Sequence, residues 1–126
     1  MEYHSLMSVR AIRGAIQAEE NSVASISAAT KELLLAILKE NNLSRPEIIS
    51  VILTATPDLN ATFPAAAARE IGFESVPLLC AVEIDVPGAL PLVIRAMVTA
   101  NTDLKIEEIS HVYLGGAKAL RKDIAQ

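Results

Sequence analysis

One segment of this chain, Val23 to Leu38, sets Val23, Ile26, Thr30, Leu33, Leu34, Ile37 and Leu38 at helical spacing, with strand-length apolar runs on either side. An amphipathic helix must bury its apolar stripe against another layer, and the flanking runs are the material for one. Asn21 or Ser22 can cap this helix and Asn41-Asn42 can end it. Before it, Val9 to Ile16 suits a strand, with Arg10, Ile12 and Ile16 on one face and Val9, Ala11, Arg13 and Ala15 on the other. After it, Ser44-Arg-Pro-Glu47 has capping-box spacing and predicts a short helical turn. Ile49 to Thr56 is a continuous apolar run, which predicts a strand buried on both faces. Pro64 to Ile71 reads as a helix with proline in its first turn and Gly72 just past its end. Val76 to Val82 then reads as a strand, Gly88 to Thr99 as a helix and Ile106 to Ile109 as a short helix. His111 to Leu114 is the last strand, closed by Gly115-Gly116. The order βα(α)βαβα(α)β predicts an α/β or α+β sandwich with helices on one face of a sheet.

A chain of 126 residues suits one domain, 1–126, with residues 1–7 as a loose N-terminal extension. Its hydrophobic share is 52% against 21% charged, more apolar than so small an interior can hold, so part of that surface is expected in an oligomer interface. The net charge of -4, with no Lys/Arg cluster, argues against nucleic acid as a partner and leaves a small anionic ligand open. One cysteine cannot form an internal disulfide, which suits a reducing cytoplasm. The N-terminus lacks the basic and apolar regions of a signal peptide. The longest weakly charged region, Ile48 to Ala68, contains Pro57, Asp58, Asn60 and Pro64 and reads as no membrane span.

The candidate chemistry centres on the stretch from Cys80 to Arg95. A strand-like segment ends in Glu83, a Pro-Gly turn follows, and an apolar segment carries Arg95. Ionisable groups beside apolar sequence are costly unless paired or used. Arg95 is flanked at helical spacing by Pro91, Leu92, Val98 and Thr99, a mostly apolar set. Arg13 is either an edge-strand residue in a solvated pair or a ligand for an anion. Arg69, after Ala65 to Ala68, is either an exposed helix residue or part of the same site. Several converging arginines would make a carboxylate site, because guanidinium forks match carboxylates. Glu83 can serve as an acid, a base, or the partner of Arg95 or Arg13. Cys80 fits a packed or weakly hydrogen-bonding residue better than a nucleophile, since only His4 and His111 could be its base. One cysteine and two distant histidines do not have metal-ligand spacing, and Gly115-Gly116 is not a phosphate-binding fingerprint.

Taken in order along the chain, these residues resemble the AroH class of chorismate mutases. The matching stretches are Val9 to Ala15, Ala55 to Leu59, Phe63-Pro-Ala65 to Arg69-Glu70, Val76-Pro77, Cys80 to Asp85, Ile94-Arg95, Thr102-Asp103, His111 to Leu114 and Leu120-Arg121. Each is weak alone, and their order and spacing from Val9 to Arg121 are specific. The resemblance implies a mixed sheet packed against helices, a homotrimer forming a pseudo-α/β-barrel, and active sites between subunits. It implies the Claisen rearrangement of chorismate to prephenate in phenylalanine and tyrosine biosynthesis. That reaction is unimolecular and needs positioning and electrostatic stabilisation, with no cofactor, metal or nucleophile.

On the same resemblance, Arg95 matches the arginine that donates to the breaking ether oxygen. Arg13 matches a carboxylate-binding arginine, and Glu83 the glutamate at the ring hydroxyl. Cys80 matches a cysteine near that hydroxyl, and Tyr113 a tyrosine at the side-chain carboxylate. Phe63, Ala65 and Arg69 would come from a neighbouring subunit. Leu120 and Arg121 would belong to a mobile C-terminal segment, 117–126, that closes over the ligand. Two positions depart from the pattern: Ala66 stands where some members carry an entrance lysine, and Leu79 where a threonine occurs. The alternatives are an imine or enamine deaminase of the Rid type, whose Gly- and Pro-rich motifs are missing here, and a non-catalytic trimer that binds an anionic metabolite.

Overall fold

The structure is a computed structural model that describes residues 7–123, with side chains through residue 120. The extension expected over residues 1–7 therefore lies outside the described residues except for Met7. Among the described residues five strands form one mixed sheet: β1 (Ser8–Gln17), β2 (Ile48–Ala55), β3 (Leu78–Val82), β4 (Val93–Thr102) and β5 (Val112–Leu114), in the order β3-β2-β4-β1-β5. β4 runs antiparallel to both β1 and β2, while β3 and β5 add in parallel at the two edges. The α+β class and the mixed sheet agree with the expectation.

Both helices pack on one sheet face. α1 (Val23–Glu40) is capped by Ser22, whose hydroxyl accepts the Ser25 amide at 3.1 Å, and ends at Asn41. Its apolar stripe, Ile26, Leu33, Leu34, Ile37 and Leu38, meets Ile12, Leu53, Ile94 and Val98 of the sheet in one core. Gly14 lets α1 come close: a Cβ there would lie 2.8 Å from Ile37 Cδ1 and 2.9 Å from Leu33 Cδ1. α2 (Pro64–Ala68) starts on proline and runs into a wider turn, Arg69–Phe73, inside which Gly72 takes φ 99°. Short 3₁₀ turns occupy Arg45–Glu47 and Ile106–Glu108.

Two expectations need correction. The segment Gly88 to Thr99 is not a helix. Pro91 and a left-handed Leu92 (φ 58°) break it, and β4 begins at Val93. Burial then alternates with period two: Ile94, Ala96, Val98 and Ala100 face the core, and Arg95 and Met97 face away. Val93, Ile94, Val98 and Thr99 favour this extended state. The second correction concerns β2, which is buried on its core face alone. Ile49 and Ile52 are exposed, because no described residue covers the opposite side of the sheet there.

That opposite face is apolar over most of its width. Val9, Ile52, Leu79 and Met97 are all exposed on it. At one end it is covered by the chain's last 3₁₀ turns, Gly115–Asp123. There Ala15, Val93, Tyr113 and Ala117 form a second small core, with Leu90 and Leu120 against it. No helix among the described residues is long and apolar enough to cross a membrane.

Candidate active site

The open face of the sheet carries the charged residues. Strand register lines up Tyr113 of β5, Ala15 of β1, Arg95 of β4, Thr54 of β2 and Ala81 of β3 in one row. Arg13 lies two residues along β1, on the same face. Arg95 therefore has Ala15 and Thr54 as its flanking neighbours, not the residues that helical spacing suggested. Glu83 follows β3, where its amide extends the ladder by donating to the Ala55 carbonyl at 2.9 Å. Its side chain reaches back over β2. Glu83 Oε2 accepts a hydrogen bond from Thr54 Oγ1 and lies 3.3 Å from Arg95 Nε.

This geometry leaves specific groups free. Among the described residues, no hydrogen bond reaches Glu83 Oε1 or either Nη of Arg95. An ion pair this exposed contributes about 0–1 kcal/mol. Ordering a glutamate side chain costs about as much or more, up to ~2 kcal/mol. The pair is thus poor as a stabilising device and useful as an orienting one. It spends one edge of the guanidinium on Glu83 and leaves the other edge for a ligand.

A cleft of about 300 Å³ opens over these groups. Arg13, Glu83, Arg95 and Tyr113 line it together with apolar Met97 and Leu120. Five of the expected site residues, Arg13, Glu83, Arg95, Tyr113 and Leu120, therefore meet in one place. β1 is not an edge strand, since β5 pairs along its far side and the Arg13 amide donates to His111 Nδ1 at 2.9 Å. Among the described residues Arg13 forms no ion pair with an acidic side chain. Two guanidiniums and one carboxylate in an apolar recess suit a small, flat polyanion that also carries a hydroxyl.

The remaining site residues lie elsewhere on the chain. Cys80 and Glu83 are not on one wall: Cys80 pairs with core-facing Leu53 on the helix side of the sheet and packs against the main core. The reason is the odd spacing, three residues, between them on an extended chain. Cys80 lines a second cleft of about 460 Å³ with Phe63, Pro64 and Thr56. Phe63 is 73% exposed there, a high value for a large aromatic side chain. Ala65 is buried on the inner face of α2, and Arg69 is exposed at the helix's C-cap. Ala66 and Leu79, the two departures, are both exposed. The Arg121 side chain lies outside the described residues. No group of three His, Cys, Asp or Glu side chains gathers as a metal-ligand set among the described residues.

Thr54 is the site residue that sequence reasoning missed. Nothing in Ile-Leu-Thr-Ala marks a threonine as special until β2 is known to lie between the strands that carry Glu83 and Arg95. An earlier strand assignment of Val93 to Thr102, from its run of β-branched residues, would have brought the two together.

A family model described as chorismate mutase type I matches residues 9–124. The chain is 50% identical over 117 residues to "Chorismate mutase AroH" of Thermus thermophilus, covering 92% of this chain and 96% of that protein. It is 42% identical over 120 residues to "Chorismate mutase AroH" of Bacillus subtilis, covering 94% of each. Its fold matches a solved chorismate mutase from Clostridium thermocellum with a TM-score of 0.86 and 48% identity, over 87% of this chain and 98% of that one.

Proposed function

The chain belongs to the type I chorismate mutase family, and from that premise we propose that it rearranges chorismate to prephenate on the open face of its sheet. The observation that carries this reading is the Arg95–Glu83 pair, in which Arg95 approaches Glu83 through Nε and, among the described residues, neither Nη makes a hydrogen bond. In the rearrangement one C–O bond breaks as one C–C bond forms. No proton moves, so no base or nucleophile is needed. The ether oxygen is nearly neutral in the substrate and becomes partly anionic in the transition state. A guanidinium N–H aimed there strengthens as the charge grows, which lowers the barrier more than it tightens ground-state binding. Arg13 and Tyr113 hold carboxylate groups, and Glu83 Oε1 accepts the ring hydroxyl. Fixing both arms of a flexible dianion in a reactive conformation supplies the rest.

The homotrimer is part of the proposal. It is supported by the exposed apolar side chains Val9, Ile52, Leu79 and Met97, which lie on one face of the sheet. It is also supported by the division of the family-matching residues between two clefts of one chain. Docking the Phe63 and Cys80 cleft of one copy onto the Arg95 cleft of the next unites them, with Arg69 at the mouth. A cytoplasmic location rests on the single cysteine. The reaction as proposed uses no cofactor.

The test is incubation of the purified protein with chorismate, following loss of its absorbance and identifying the product by NMR. Catalytic formation of prephenate supports the reading. Binding of chorismate without turnover would instead favour a non-catalytic binder, and ammonia release from an imine with no action on chorismate would favour a Rid-type deaminase.

A further inference from the structure

We infer that Thr54 is a positioning residue that sets the Glu83 carboxylate, and through it Arg95, for the reaction proposed above, on which this inference rests. Three observations converge on it. Register places Thr54 directly opposite both Arg95 on β4 and Ala81 on β3, so its side chain stands between the two charged ones. Its hydroxyl donates to Glu83 Oε2, the same oxygen that Arg95 Nε approaches at 3.3 Å. And Glu83 lies just beyond the last residue of β3, with its backbone held by the Ala55 carbonyl and its side chain held by nothing else among the described residues.

The physical need is clear from the exposure of the pair. A half-exposed arginine alone is a loose partner for a glutamate, whose three side-chain torsions otherwise sample many states. A hydroxyl on a rigid sheet adds a charge-assisted hydrogen bond with a fixed direction. Threonine gives that direction better than serine, because branching at Cβ restricts its first torsion. With Oε2 taken by Thr54 and Arg95, Oε1 is the oxygen left for a ligand. With Nε taken by Glu83, the two Nη groups are left for it. Thr54 thus decides which edges of both charged groups face the cleft, without being a ligand itself.

The experiment uses Thr54→Val, which keeps the shape and the strand preference and removes the hydroxyl, with Thr54→Ser as its control. Thr54→Val should lower kcat by about 10- to 100-fold, the range for losing a hydrogen bond to a charged group, with KM changed much less. Thr54→Ser should recover most of the loss. In a Glu83→Gln background the Thr54→Val change should cost far less than in the parent, because Thr54 acts through Glu83. Equal costs in both backgrounds, or a kcat within threefold of the parent, would overturn the inference. A crystal structure of Thr54→Val gives a readout that does not need activity. The Glu83 carboxylate should leave Arg95 Nε or occupy several positions. If it keeps its place, Thr54 does not position it, whatever the parent enzyme turns over. If the parent protein fails to convert chorismate while the carboxylate moves as expected, it is the functional reading that fails.

Discussion

Asp58 receives the Leu92 amide on both carboxylate oxygens, at 3.2 and 3.0 Å. Leu92 is a non-glycine residue in the left-handed region, a conformation that needs outside support. One residue later, Val93 exchanges bonds of 3.0 Å with the Thr56 amide and hydroxyl. The Thr56-Pro57-Asp58 turn therefore clamps the start of β4, two residues before Arg95. Asp58→Ala should cost about 1–3 kcal/mol in urea unfolding, and should lower kcat as Arg95 loses its fixed register. Asp58→Ala with parent stability and parent kcat would show that the clamp is redundant.

Arg95→Ala should reduce kcat by at least about 100-fold while the protein still folds, since a preorganised donor to a developing anion is lost. Arg95→Lys should restore part of the loss, because an ammonium cannot both contact Glu83 and present two parallel donors. Steady-state kinetics with circular dichroism decides this. A change confined to KM would make Arg95 a binding residue and refute the electrostatic mechanism.

The apolar face predicts assembly. The parent should sediment as a trimer at micromolar concentration. Leu79→Glu puts a charge on the exposed face of edge strand β3, beside Ile52, and should give a folded monomer without turnover. An active monomer, from either protein, would mean that the two clefts work apart.

Cys80 should behave as a contact and not as a nucleophile. Cys80→Ser should keep most activity, and Cys80→Ala should cost roughly 0.5–1.5 kcal/mol in kcat/KM. Complete inactivation of a folded, trimeric Cys80→Ala protein would reverse that assignment.

The parts of the fold that were legible in the sequence are those whose signals are local. Ser22, the spacing of Ile26 to Leu38 and Asn41 define α1 within a residue or so. Val9 to Ile16, Ser44 to Glu47 and Pro64 likewise carry their own strand, cap and turn chemistry. β4 was not legible, because Ile94, Ala96, Val98 and Ala100 read as apolar under either period and the Pro-Gly turn before them suits a helix start as well. That one error moved Arg95 from a strand to a helix and hid Thr54. Arg13, Glu83, Arg95 and Tyr113 were reached through family-matching sequence, whereas their meeting in one cleft depends on register, which pairs residues far apart in the chain. The opposed faces of Cys80 and Glu83 followed from strand alternation and could have been read.

The position of β4 also dictates when the molecule can come into being. It is the middle strand of the sheet, yet it is nearly the last to be made: Ser8, the first residue of β1, pairs with Thr102, the last of β4. A growing chain that has released β1, α1, β2 and β3 holds two strand pieces with no common neighbour. Their inner edges stay unpaired until Val93 to Thr102 arrives to join them. Such non-local closure is slow, and open edges are where chains cross-associate. Birth of this enzyme therefore turns on one late event, in which a single strand joins the two pieces and delivers Arg95 to its place between β1 and β2 in the same step.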